Sequence, residues 1–173
     1  MQVYSITISR PFGSGLLLSC GTTTPMGAIM SAPLQTHETQ LLRTSSGVHV
    51  PIDRDLVPLI LRLWSLGLNT RASCQNFGES LEDSGPGIPP GDPRWSAFYA
   101  DRVWLKLSPA PAEHLITLLG ADKELSIAMN EWGRAASWLC MRPVVPDVYG
   151  GPARTRDTHL FFPRKHLDHV VEV

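Results

Sequence analysis

The stretch from Asp55 to Cys74 constrains the fold most, because two different hydrophobic periods meet there across a single glycine. Leu56, Leu59, Ile60, Leu63 and Trp64 recur at the i, i+3, i+4, i+7, i+8 spacing of an amphipathic helix. Pro58 must then lie in the first turn, where a residue without an N–H is tolerated, which places the N-cap at Asp55. Gly67 suits the left-handed conformation that ends a helix. After it, Leu68, Thr70, Ala72 and Cys74 alternate with Asn69, Arg71 and Ser73, the period of a half-buried strand. A chain with this segment needs a sheet for the strand and a second layer against which the helix can bury its apolar face.

The flanking sequence supplies both. Gly47 to Pro51 has the alternation of a short strand, and Arg102 to Leu107 that of another, with Val103, Leu105 and Leu107 on one face and Trp104 and Lys106 on the other. Ser108-Pro109-Ala110-Pro111 opens a helix carried by Leu115, Ile116, Leu118 and Leu119 and interrupted at Gly120. Asp122 to Trp132 is helical in pattern, and Ala136 to Arg142 either continues that helix or, after Gly133, forms a strand. Thr158 to Phe162 is a short strand, and Pro163 begins a last helix with Leu167, Val170 and Val171 inward. Gln75 to Asp101, dense in Gly, Pro, Ser and Asp, is expected as a long loop. The order predicts an α+β fold, the split βαβ pattern of a ferredoxin-like sandwich with helices on one face of an antiparallel sheet. The long loop then joins its second and third strands, and the last strand and helix are appended.

Residues 1–45 are rich in Ser, Thr, Gly and Pro and lack a sustained period, so they are expected as a poorly structured leader before a single domain at 46–173. Leu17-Leu18-Ser19-Cys20-Gly21 resembles a lipoprotein cleavage box, although Arg10 is the one basic residue before it after the start and Pro11, Gly13 and Gly15 break the apolar run. A native start at Met26 or Met30 is the alternative. With 43% hydrophobic and 18% charged residues in 173, the chain can build one core. A net charge of -1 argues against a nucleic-acid partner for the chain as a whole. Three widely spaced cysteines, Cys20, Cys74 and Cys140, give no disulfide framework and point to a reducing compartment. With no apolar run of about eighteen residues to span a bilayer, the expected location is cytoplasmic.

Asp55-Leu56-Val57-Pro58-Leu59-Ile60, Leu63-Trp64, Gly67, Thr70 and Ser73-Cys74-Gln75 together resemble a group of short actinobacterial and phage proteins, in which a helix, a glycine and a strand end in Thr-x-x-Ser-Cys-Gln. The likeness resumes at His159-Leu160-Phe161-Phe162-Pro163-Arg164 and Leu167. It implies a domain boundary and no activity. Thr70-Arg71-Ala72-Ser73-Cys74 has a fainter similarity to the Thr-x-Ser-Cys-Ser-Gly strand end of the wybutosine-synthesising tRNA methyltransferase family, with Gln75-Asn76 in place of its Ser-Gly.

Chemistry concentrates where the second strand ends. Ser73, Cys74, Gln75 and Asn76 bring a thiol, a hydroxyl and two amides together, a set able to fix a small polar ligand or a protein segment. Cys74 is also the candidate nucleophile or redox thiol of a small enzyme, although no histidine is near it in sequence and space-filling is the plain alternative. His159, His166 and His169 permit a metal site by spacing, but Arg164 and Lys165 oppose a cation, so no metal is expected there. Gly85 to Asp92 lacks the Gly-Lys-Ser/Thr ending of a phosphate loop, Glu82 and Asp83 are adjacent rather than facing, and no cofactor is expected. Trp104 and Lys106 would suit stacking against a base if their sheet face were open; Trp95 and Phe98, folding back, would close it. The functional expectation is a non-enzymatic binding or regulatory module with its site at Ser73 to Asn76. The alternatives are an enzyme using Cys74 and an RNA-contacting protein using the basic C-terminal third.

Overall fold

The structure is a computed structural model that describes residues 37–83, 93–131, 137–146 and 151–173. The proline-glycine centre of the expected loop at 84–92, the segment 132–136 and the chain before 37 lie outside those residues, as do the side chains of Glu82 and Asp83.

The fold is α+β with open antiparallel sheets. Strands β1 (Thr39–Arg43) and β2 (His49–Asp53) form a hairpin, with Gly47 at φ 86° in its turn. A 3-10 turn at Arg54–Leu56 leads into α1 (Val57–Ser65), so Asp55 lies in that turn and is not the N-cap. Its carboxylate instead pairs with Arg164. Gly67 has φ 75°, the left-handed stop that the sequence requires. Strand β3 (Thr70–Cys74) follows, then α2 (Phe77–Asp83), α3 (Pro93–Tyr99), β4 (Arg102–Leu107), α4 (Pro109–Ala121) and α5 (Lys123–Met129). The chain continues through β5 (Leu139–Met141), the hairpin β6 (Val144–Pro146) and β7 (Pro152–Arg154), then β8 (Thr158–Pro163), a second 3-10 turn and α6 (Leu167–Glu172).

Three expectations are corrected. The main sheet has the order β3-β4-β8-β5, so the strand expected as an appendage is an inner strand, while β2 pairs outside the sheet with β1. Leu105 faces Leu160 and Val103 faces Phe162 across the β4–β8 pair. All four side chains are at most 1% exposed, and that burial is what places β8 inside. The expected long loop contains two helices, whose Phe77, Leu81 and Tyr99 supply apolar faces. Strand β1 lies within the stretch expected as leader, with Leu42 buried against the core.

The sheet is therefore covered on both faces. On one, Val103, Leu105, Leu107, Leu160 and Phe162 pack against Leu59, Ile60 and Leu63 of α1, Leu115 and Leu119 of α4, Leu125 of α5, and Leu167 and Val170 of α6. On the other, Cys74, Trp104 and Phe161 meet Phe77 and Leu81 of α2 and Tyr99 of α3. Arg102, 2% exposed, ties α3 to the sheet, its Nε–H donating to the Phe98 carbonyl at 3.2 Å and its Nη1 to that of Ser137.

A bulge decides which face receives Cys74. Thr70 pairs with Leu107, but Ala72 pairs with Lys106, so one extra residue is accommodated between Thr70 and Ala72. Thr70 shares the face of Leu107, whereas Ala72 and Cys74 turn to that of Lys106 and Trp104. Uninterrupted alternation would have put Thr70, Ala72 and Cys74 on one face.

Candidate functional site

Cys74 is 6% exposed and lies at the end of β3, beneath the edge of α2. Its Sγ is 3.8 Å from Nδ1 of His37 and 3.0 Å from the hydroxyl of Ser80. The histidine absent from the neighbouring sequence arrives from just before β1, thirty-seven positions away. His37 Nδ1 is also 3.2 Å from Asp53 Oδ2, at the end of β2, and its Nε2 is 2.9 Å from Oε2 of Glu79 on α2. Four chain segments thus supply the cluster: His37 precedes β1, Asp53 ends β2, Cys74 ends β3, and Glu79 and Ser80 come from the first turns of α2.

The expected residues divide by role. The Gln75 backbone N–H donates to Asp53 Oδ2 at 2.8 Å, fixing that carboxylate beside the thiol, while its side-chain Oε1 accepts from the Asp55 N–H at 3.3 Å. Asn76 is 4% exposed, and its Oδ1 accepts from the Asp101 N–H at 3.1 Å. It thereby holds Asp101 at φ 54°, a left-handed conformation that is uncommon for a non-glycine residue. Ser73 pairs with Leu105 and is on the sheet face opposite Cys74. Cys74 therefore belongs to the cluster, while Gln75 and Asn76 brace the loop ends around it. The signal for His37 and Asp53 could not be local; it lies in a hairpin that returns both residues to the end of β3.

Burial pushes the Cys74 thiol up to about 11; the Ser80 hydroxyl opposes the shift, and the Asp53 carboxylate adds to it by charge and as an acceptor for the thiol proton. At neutral pH the thiolate fraction is then roughly one in ten thousand. The protonated thiol thus has the His37 imidazole 3.8 Å away and the Asp53 carboxylate within 4.8 Å.

The C-terminal histidines do not converge. His166 Nδ1 accepts from the Trp138 indole N–H at 3.1 Å, and His159 Nδ1 from that of Trp104 at 3.3 Å. His169 lies 3.3 Å from Asp122. Among the described residues, the group of three donors close enough to share one ion is His37, Asp53 and Cys74. The Trp104 face is closed, the indole 4% exposed with the Phe77 ring 4.9 Å away, so the expected covering comes from α2 and α3. Trp95 and Phe98 remain 42% and 50% exposed on α3. In the basic third, Arg164 pairs with Asp55, and Arg142 donates to the Thr155 carbonyl.

No helix among the described residues is long and apolar enough to cross a membrane. No protein-family model, curated protein or solved structure matches the chain.

Proposed function

We propose that the chain is a non-enzymatic binding module whose ligand site is the end of β3, with Cys74 at its centre and His37 and Asp53 beside it. The observation that carries this reading is the convergence of a thiol, an imidazole and a carboxylate from three separate strand ends, in a setting that holds the thiol protonated. Besides the apolar neighbours that a space-filling cysteine would have, the sulfur has the Ser80 hydroxyl at 3.0 Å, the His37 imidazole at 3.8 Å and the Asp53 carboxylate within 4.8 Å. Gln75 and Asn76 support the site through backbone contacts, and the covering helix α2 gives it a wall.

The thiol, imidazole and carboxylate series Cys74–His37–Glu79 also has the outline of a nucleophile, base and orienting group. Two features weigh against that second reading. The raised thiol leaves almost no thiolate, and Asp53 stands on the same ring nitrogen that would have to take the thiol proton. Iodoacetamide labelling of Cys74 in the native protein, followed by peptide mass at about pH 7 and about pH 9, separates the two. The binding reading expects slow labelling at both, accelerated by unfolding. Rapid labelling near neutrality would overturn it in favour of the nucleophile. Native mass spectrometry of the purified chain should in addition show a bound mass that Cys74→Ala loses.

The sheet order supports a finer reading of the fold. Strands β4 and β5 run parallel to each other with α4 and α5 between them in sequence, and β8 is inserted antiparallel to both. This is a split βαβ unit. We read the sheet as ferredoxin-like, with β8 taking the place beside β4 expected for residues 48–51 and α6 packed alongside α1. The superfold itself carries no chemistry, so function rests on the site.

A further inference from the structure

We infer that His37, Asp53 and Cys74 form the site of a divalent transition cation of the zinc type, an inference that rests on the binding reading and names its ligand. The donor set is the first argument. An entering cation displaces the Cys74 thiol proton to solvent, and the resulting thiolate with an imidazole selects borderline and soft ions such as zinc and cobalt(II) over calcium and magnesium, which take oxygen donors.

Spacing is the second. A tetrahedral ion with bonds of about 2.0–2.2 Å to nitrogen and oxygen and about 2.3 Å to sulfur requires donor separations of about 3.4 Å for the N and O pair and about 3.6 Å for the S and N pair. The observed separations are 3.2 Å for His37 Nδ1 and Asp53 Oδ2 and 3.8 Å for Cys74 Sγ and His37 Nδ1. The three donor atoms all lie within 4.8 Å of one another, so small side-chain rotations complete the triangle. The strand ends need not move.

Behind the donors stands a second set of groups that orients them. A metal-bound imidazole gives its other N–H to a carboxylate or carbonyl, which fixes the ring and raises its basicity. His37 presents Nδ1 to the other two donors and places Nε2 2.9 Å from Glu79 Oε2. Asp53 is oriented by the Gln75 N–H at 2.8 Å, and the Cys74 sulfur has the Ser80 hydroxyl at 3.0 Å. Each donor thus has its own support, and two of the three supports come from α2. An imidazole held between two carboxylates would account for His37, Asp53 and Glu79, but it gives no reason for the thiol at 3.8 Å or for the hydroxyl 3.0 Å from that sulfur. Three protein donors leave a fourth position for water or for a donor carried by a bound molecule.

The test is titration of the full chain, freed of metal with a chelator, with cobalt(II) chloride and then zinc chloride. The expected result is one cobalt per chain, a thiolate-to-cobalt charge-transfer band with the intense visible bands of tetrahedral cobalt, and loss of both when zinc is added. Cys74→Ser and His37→Gln, each first shown to melt cooperatively, should abolish the charge-transfer band or weaken binding by more than 100-fold; Glu79→Ala should weaken it about 10- to 100-fold. Magnesium should produce no change. A wild-type chain with no such band, or a band that survives Cys74→Ser, overturns the cation site. If metal fails to bind while a co-purified mass still disappears with Cys74→Ala, the cation falls and the binding module stands. Rapid iodoacetamide labelling of Cys74 in the metal-free chain would remove the binding reading itself.

Discussion

Gly78 offers a sharp test of how α2 is seated. A Cβ added there would lie 2.6 Å from the Ser96 carbonyl oxygen and 2.7 Å from the Ala100 N and Cα, all backbone atoms of α3 or the turn that ends it. Ordinary contact begins at 3.4 Å, so α2 and α3 would have to part by about 0.8 Å. Alanine also favours the helix, by about 0.5–1 kcal/mol over glycine, while overpacking of this kind costs about 1–3 kcal/mol. The net expectation for Gly78→Ala is a loss of roughly 1–2 kcal/mol, or a fall of roughly 2–8 °C in melting midpoint for a chain of this size. Gly120 in α4 is the control, since its added Cβ would meet only the flexible end of Met129 at 3.6 Å. Gly120→Ala should therefore gain up to about 1 kcal/mol and raise the midpoint by about 1–4 °C. Thermal unfolding followed by far-UV circular dichroism measures both. If Gly78→Ala melts at or above wild type, helix propensity has outweighed the contact and the close approach of α2 to α3 is wrong.

Leu63 and Leu61, two residues apart on α1, are 1% and 49% exposed. Leu63→Ala should cost about 2–5 kcal/mol and Leu61→Ala less than about 0.5, and equal denaturation midpoints would place the helix face elsewhere. His159 is held below its ordinary value of 6.5 by burial and by Lys106, with Asp157 opposing. The unfolded chain therefore takes up this proton first as the pH falls, so the contribution is intact above about 6.5 and is lost as the pH drops towards the folded-state value. His159→Gln, which keeps an acceptor for the Trp104 indole, should flatten the fall in melting midpoint between about pH 7.5 and about pH 5; an unchanged slope refutes the assignment.

Elements built from local period were legible in the sequence. Leu56 to Trp64 announces α1 because every inward residue is within two turns of the next, and Gly67 ends it through its own backbone freedom. Strand β4 is legible for the same reason, its Val103, Leu105 and Leu107 reporting one buried face. Helices α2 and α3 were hidden because proline and glycine dominate the segment between them, while their apolar anchors Phe77, Leu81 and Tyr99 are too few to show a period. The bulge in β3 was invisible, since Thr70, Ala72 and Cys74 alternate smoothly in sequence and only the pairing with β4 reveals the slip. Cys74 stood out as a residue at a strand end, but His37 and Asp53 reach it through the β1–β2 hairpin, and such partners are set by tertiary closure.

The inner position of β8 has a consequence for the order of assembly. Within the main sheet, β5 pairs only with β8, and β4 pairs with β3 on one side and β8 on the other. Until residues 158–163 have been made, this sheet can hold two strands and no more. During synthesis the second edge of β4, with six residues waiting for partners from Thr158 to Pro163, stays open while some fifty further residues emerge. Closing that gap requires distant pairing, which is slow and leaves an apolar edge available to other chains in the interval. The sheet is completed from its middle by a strand made after its other three, and a chain stalled before Thr158 would carry a ready template for aggregation.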